Sequence, residues 1–172
     1  MIKFDDVVLK ETDDVSHMVK SLSIIDRDKL GLNDFEVRTD HSTWINLFII
    51  SHKSQDVGFI KIQKNIDTRI CEINMTYISP EKRKSHIAYK AIICLFYYIF
   101  EYLKYEKIES RCFGFNTESF EAQKKYYKLE GELKKHVLHK GEYYSLFLFA
   151  FFKEDFYNHK LYEDLKDKIE II

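Results

Sequence analysis

The sequence predicts an α/β fold built on a mixed β-sheet, and three observations carry that prediction. Two β-rich runs, Trp44 to Ser51 and Val57 to Lys64, flank a turn at His52–Asp56, and a third, Arg69 to Ile78, follows a polar turn at Asn65–Asp67; together they make an antiparallel meander. From Arg69 the chain reads strand, long apolar helix, strand, an order that requires a parallel crossover. Two further β-rich runs, Glu132 to His139 and Tyr143 to Phe151, complete the sheet.

Taken in order, Ile2 to Leu9 reads as the first strand, and Glu11–Asp14 offers caps for a helix running through Ser21. A second short helix is expected near Asp26 to Leu32, before the meander. Within Arg69 to Ile78, a period of two puts Cys71, Ile73, Met75 and Tyr77 on one face and Glu72, Asn74 and Thr76 on the other. The crossover helix spans Ser85 to Tyr105 and leads to a strand at Lys107 to Phe113 and a helix at Ser119 to Lys128. The last segment, Lys153 to Ile169, reads as an amphipathic helix whose Phe152, Phe156 and Leu161/Leu165/Ile169 row docks on the body or on a second subunit.

With 172 residues, 45% of them hydrophobic, the chain can bury one sizeable core. One domain over 1–172 is expected, with 153–172 as a C-terminal helical extension. Cys71, Cys94 and Cys112 lack Cys-x-x-Cys spacing and lie in apolar runs, so they read as buried thiols in a reducing compartment. No signal peptide is recognisable, and the longest apolar run, Ala91 to Phe100, is half of the about 20 residues that span a bilayer. A cytoplasmic protein without membrane association is expected. The seven histidines form no ligand pattern with carboxylates, so no metal is expected.

A net charge of −1 gives no general attraction to nucleic acid, and no nucleic-acid partner is expected. The charge is unevenly spread: residues 1–40 hold ten acids and six bases, residues 80–140 eight acids and thirteen bases. The basic half suits phosphates and the acidic half a cation. Between Ser79-Pro80 and the crossover helix, Lys82, Arg83, Lys84 and Ser85 surround the unpaired N–H groups and positive dipole end of that helix. This is a cradle for an anion, and a pyrophosphate-bearing cofactor is the first ligand it suggests.

At this loop the chain resembles the GNAT-type N-acyltransferases, whose Arg/Gln-x-x-Gly-x-Gly/Ala motif reads here Arg83-Lys84-Ser85-His86-Ile87-Ala88. The resemblance extends downstream through Asn116–Ser119, Lys128-Leu-Glu-Gly-Glu-Leu-Lys134 and His139-Lys-Gly-Glu-Tyr-Tyr144. That order is shared with the ribosomal-protein and spermidine acetyltransferases, over roughly Val57 to Phe156. His86 replaces the loop glycine, Gln123 stands where many relatives carry a tyrosine acid, and the Leu-Gly-Phe motif is a residue short at Lys125–Lys128.

The resemblance implies a mixed sheet of six to seven strands flanked by helices. Acetyl-CoA as co-substrate would be held by Ile78, Arg83, Lys84, Ser85, His86, Ile87, Ala88, Asn116 and Ser119. It further implies Glu72 as general base and Tyr126 as proton donor, with Tyr127 as the alternative donor or a packing residue. The implied activity is direct acetyl transfer, in a ternary complex, to a small-molecule or peptide amine: a protein N-terminus, a polyamine or an amino-sugar. The acidic N-terminal third tilts toward a cationic amine such as a polyamine. A degenerate GNAT-like protein that binds a partner without catalysis is the alternative, and a homodimer joined through the final helix is compatible with either.

Overall fold

The computed structural model describes residues 1–14, 44–83, 85–165 and 167–172. Among the described residues nine strands form one sheet: β1 (Ile2–Phe4), β2 (Val7–Thr12), β3 (Ile45–His52), β4 (Gln55–Asn65), β5 (Ile70–Ile78), β6 (Lys107–Phe113), β7 (Lys128–His139), β8 (Glu142–Phe152) and β9 (Ile169–Ile171). Their order across the sheet is β7-β8-β6-β5-β4-β3-β2-β1-β9. Every pairing is antiparallel except β5 with β6, so the mixed sheet is as the sequence predicts. The helices among the described residues are α1 (Ile87–Tyr97), α2 (Thr117–Gln123), α3 (Lys153–Asn158) and α4 (Lys160–Leu165). None of the helices among the described residues is long and apolar enough to cross a membrane.

The sheet has more strands than the six or seven expected, for two reasons. The run from Ile2 breaks at Asp5-Asp6, where Asp5 takes a positive φ and the chain turns back as β2. At the other end, the helix expected over Lys153 to Ile169 is interrupted at His159, whose backbone is extended, and its last residues become β9. β9 pairs with β1, with Met1 N donating to Ile172 O (2.8 Å) and Ile172 N to Met1 O (2.9 Å). A helix there would leave the β1 edge unpaired, an open template for other chains. The helices expected through Ser21 and near Asp26 to Leu32 lie outside the described residues.

Three boundaries move for local reasons. The turn between β3 and β4 needs only Lys53 and Ser54, both at positive φ, as a two-residue hairpin matching the strand twist requires. Residues Tyr98–Tyr102 continue α1 as a widened turn, with Leu103 N bonded to Tyr98 O, so consecutive Ile99 and Phe100 both become buried. The second helix begins at Thr117 because Asn116 caps it, accepting from Ser119 N (3.3 Å). It ends at Gln123, and a turn then places Tyr127 against Phe96 (5.7 Å, edge-on) and starts β7 at Lys128.

The main core lies between α1 and one face of the sheet. Ile60, Ile62, Cys71, Ile73, Ala91, Cys94, Leu95, Phe96 and Phe100 are buried there, with Phe96 stacked on Phe151 at 4.9 Å and Phe156 of α3 packed on Phe100 at 5.3 Å. The three cysteines are buried and unpaired, and burial pushes the Cys71 and Cys94 thiols up to about 12.

A charged cluster fixes where α1 begins. Lys90 Nζ donates to Asp6 Oδ1 (2.7 Å) and to Asp5 Oδ2 (3.1 Å), and His52 Nε2 lies 2.8 Å from Asp6 Oδ2. The first turn of the helix is thereby tied to the β1–β2 turn and the end of β3. The Lys90 hydrogen bond, outweighing burial and aided by His52, lowers the Asp6 carboxyl from 3.8 to about 2. A depressed carboxyl stabilises the fold above its unfolded pKa and ceases to do so as pH falls through the folded one. Asp6→Asn is therefore expected to lower Tm at pH 7, with the difference from the parent vanishing as pH is brought from about 4 to about 2; thermal melts across that range check it.

Gly58 is demanded by close approach. It pairs with Ile78, and a Cβ there would sit 2.2 Å from Tyr77 O and 3.0 Å from Ile78 Cδ1. Since the first obstacle is backbone, Gly58→Ala must push β5 away from β4. The expected cost is about 1–3 kcal/mol, read from the denaturant midpoint at unchanged slope.

Candidate active site

The parallel pairing of β5 with β6 covers only Ile70–Ile73 against Lys107–Ser110. Its last contact is Ser110 Oγ donating to Ile73 O at 3.5 Å, and beyond this point the strands part. The register of β5 against β4 shifts here: Lys61 pairs with Met75 and Ile62 with Ile73, so Asn74 is an extra residue, a β-bulge. Because cross-strand partners share a face, Thr76 and Ile78 point with Cys71 and Ile73 toward α1, while Met75 and Tyr77 join Glu72 on the opposite face. The simple alternation expected for Met75, Thr76 and Tyr77 is thus reversed by the bulge.

Between the parted strands lies a cleft of about 150 Å³ lined by Ile73 to Thr76 of β5, Ser110 to Phe113 of β6, and Asn116, Ser119 and Gln123 at α2. Cys112 Sγ sits 3.6 Å from Asn116 O, joining β6 to the start of α2. Gln123 Nε2 donates to Ser119 Oγ (3.1 Å), while Gln123 Oε1 is buried with no partner among the described residues. A buried acceptor without a donor is unfavourable unless a ligand or water supplies one.

Glu72 stands beside the apex of the cleft, on the face away from α1, with its side chain 18% exposed. Its carboxylate is 3.1 Å from Arg111 Nε and directly across the parallel register from Glu109. Burial raises its pKa above the usual 4.5, Arg111 opposes the rise, and Glu109 adds to it. A carboxylate whose pKa is raised in this way is a stronger base than a solvated one.

The loop entering α1 is internally braced. Pro80–Lys82 forms a single tight turn, Arg83 N bonds Pro80 O, and Ser85 N bonds Lys82 O (3.1 Å). Arg83 folds back so that Nε donates to Ile78 O (3.0 Å) and the guanidinium lies 5.7 Å from the centre of the Tyr77 ring. His86 caps α1 with φ −72° and ψ 3°, an ordinary conformation for an L-residue, so the glycine it replaces is not required by the backbone. Ile87 is buried, whereas Ser85 and His86 are exposed at the helix start. Lys84 lies outside the described residues.

The structure therefore brings Asn116 and Ser119 into the cleft and sets Glu72 beside it, one residue before the first lining residue Ile73 and outside the lining itself, with Ile78, Arg83, Ser85, His86, Ile87 and Ala88 forming the strand end, loop and first turn beyond. It does not bring Tyr126 there: that residue is 39% exposed, 6.0 Å from the Tyr89 ring, and absent from the cleft lining. Tyr127 is half-buried and packs on Phe96 and Phe151, and burial drives its phenol far above the usual range. Arg111, Cys112 and Ser110 were missed by sequence reasoning. The alternation of Lys107 to Phe113 carries the signal for Arg111, since it shares a face with Glu109. Among the described residues no His, Cys, Asp and Glu group is arranged to hold a metal.

No family model and no curated protein matches the chain in sequence. Solved structures match it in fold. Spermidine/spermine N-acetyltransferase SpeG from Vibrio cholerae, in complex with manganese ions, superposes with a TM-score of 0.72 at 15% identity, covering 90% of this chain and 97% of that one. A probable GNAT-family acetyltransferase from Chromobacterium violaceum gives a TM-score of 0.73 at 18% identity, covering 90% and 86%. A GCN5-related N-acetyltransferase from Brucella melitensis gives 0.60 at 21% identity over 67% and 54%. The chain has the GNAT acetyltransferase fold.

Asn116 has a structural duty that can be measured apart from any ligand. Asn116→Ala is expected to cost about 1 kcal/mol through loss of the α2 cap, and Asn116→Asp to retain most of it, as chemical denaturation would report.

Proposed function

We propose that the chain is an acyl-CoA-dependent N-acyltransferase that moves an acetyl group from acetyl-CoA to an amine by direct attack in a ternary complex. The observation that carries this reading is the parting of β5 and β6 beyond Ile73 and Ser110, with the Glu72 carboxylate beside the apex and a braced basic loop at the far end. Support comes also from the spermidine acetyltransferase among the fold's relatives, which acts on an amine.

The residues present suit the co-substrate. The edge of β5 past Asn74 is not paired with β6, so its N–H and C=O groups are open to a pantetheine arm. The unpartnered Gln123 Oε1 can accept from one of that arm's amides. His86, Ile87 and Ala88, at the start of α1, present main-chain N–H groups to a pyrophosphate, with Arg83 and Lys84 adding charge, while Ser85, whose N–H is bonded to Lys82 O, offers its hydroxyl. Acetyl-CoA supplies an activated acyl carbon as a thioester.

Glu72 takes the proton that makes the acceptor ammonium unreactive, directly or through water. Gln123 has no acidic proton to give, and Tyr126 stands outside the cleft lining. The ordinary pKa of a thiol, about 8.5, lets the thiolate depart without a tyrosine acid.

Calorimetric titration with acetyl-CoA tests the grip, and thiol release with a panel of amines tests the chemistry. Micromolar binding is expected. Absence of binding at millimolar acetyl-CoA would overturn the enzyme reading in favour of a binding module. Glu72→Gln is expected to lower kcat by about 100-fold or more while Tm stays level or rises, because the substitution removes a carboxylate that burial disfavours. In the parent, kcat/KM should fall as pH drops through the raised Glu72 pKa, and that limb should be missing in the variant.

A further inference from the structure

On the face of the sheet where Glu72 stands, the charged groups of β6 are unequally occupied. Lys107 Nζ is held by Glu109 (2.8 Å) and Glu130 (2.7 Å), so both its charge and that of Glu109 are answered. Arg111 has a single partner among the described residues: its Nε meets Glu72 at 3.1 Å, which leaves the two η nitrogens without an acceptor. Its side chain is 57% exposed, and the residue lines the cleft. Phe113, next on the same face, stacks on Phe115 (5.2 Å), which stacks on His139 (4.0 Å), so rings close that flank of the cleft.

A guanidinium is a planar fork of five donors that matches a carboxylate through paired hydrogen bonds. Here Nε is spent holding the base, and the residue also lines the cleft. From this juxtaposition, and resting on the acyl-transfer reading above, we infer that the acceptor is an amine carrying a carboxylate close to its nitrogen, as in an α-amino acid. Glu72 receives the amine and the η nitrogens of Arg111 receive the carboxylate. Because one side chain touches both groups, amine and carboxylate must be near neighbours in the acceptor. A polyamine offers Arg111 a second cation and would be repelled there. Arg111 is thus a specificity-determining residue.

The test compares matched acceptors on the full chain with acetyl-CoA: phenylalanine against phenethylamine and phenylalaninamide, a phenylalanine-led dipeptide, and spermidine. The expected result is a kcat/KM for phenylalanine higher than for its decarboxylated and amidated partners by about tenfold or more, the usual effect of a charge-assisted hydrogen bond. In Arg111→Gln that ratio should fall close to unity, with Arg111→Lys between the two and the KM for acetyl-CoA little changed. An arginine acting only on Glu72, or only on the thioester carbonyl, would lower turnover of all acceptors alike and leave the ratio intact. That result, or spermidine outrunning phenylalanine in the parent, overturns the inference. Preference for the dipeptide, whose carboxylate is remote, overturns it as well.

Failure of the acyl-transfer reading shows separately, as absence of acetyl-CoA binding. If acetyl-CoA binds but no thiol is released, calorimetry of phenylalanine against phenethylamine on the CoA-saturated protein decides. A preference lost in Arg111→Gln supports the site, and equal binding overturns it. Since Arg111 is exposed, its variants are expected to fold as the parent does, which circular dichroism verifies.

Discussion

The cleft exists because two parallel strands stop pairing after four residues and are prevented from resuming. Each is held open by its outer neighbour. β6 is locked along its whole length to β8, from Lys107–Phe152 to Phe113–Leu146, and β5 is locked to β4 through Gly58–Ile78. The bulge at Asn74 adds a residue to β5 without adding one to β4, which turns the strand just where β6 would otherwise follow it. The gap is therefore a property of the sheet. Buried backbone groups along such a gap need partners from outside the sheet, which is why an opening of this kind favours an extended ligand rich in amides.

The same geometry assigns the two faces different work. Toward α1 the cleft is lined by Ser110 and Cys112 and closed by α2, whose Asn116, Ser119 and Gln123 form a linked polar row. Away from α1 stand Glu72 and Arg111. A ligand reaching through the apex meets uncharged hydrogen-bonding groups on one side and an ion pair on the other. In the proposed reaction proton transfer belongs on the charged side. Glu72 would carry a cost typical of such places, since burial and Glu109 disfavour the ionised form that this chemistry needs, with Arg111 opposing them.

Legibility from sequence followed the range of the interactions involved. The meander, the crossover and Glu72 on the face away from α1 all come from local periodicity, and the structure has them. The bulge could not be read, because Asn74 resembles any other strand residue until its partner on β4 is known. Nor could β9: Ile169 continues the helical row of Leu161 and Leu165 as readily as it alternates with Ile171, and only the unpaired edge of β1 decides between them. Tyr126 and Tyr127 illustrate the same limit. The turn after Gln123 commits one to the core and the other to the surface, and adjacent tyrosines in a sequence carry no sign of which is which.

His86 marks a further difference between sequence motif and physical requirement. A glycine in an anion-binding loop is needed either for its backbone freedom or for the space that a missing side chain leaves. Here φ is −72°, so the first need is absent, and His86 is exposed, so its ring has solvent available to it. What the loop must supply is a set of N–H groups pointing from the start of α1. Their direction is set elsewhere, by the Arg83 bond to Ile78 O at the end of β5 and by Lys90 on Asp5 and Asp6. If the loop holds an anion as proposed, a grip built from main chain and aimed by remote ties tolerates substitution of its own side chains. The motif can fade there while the geometry that gives it meaning is kept.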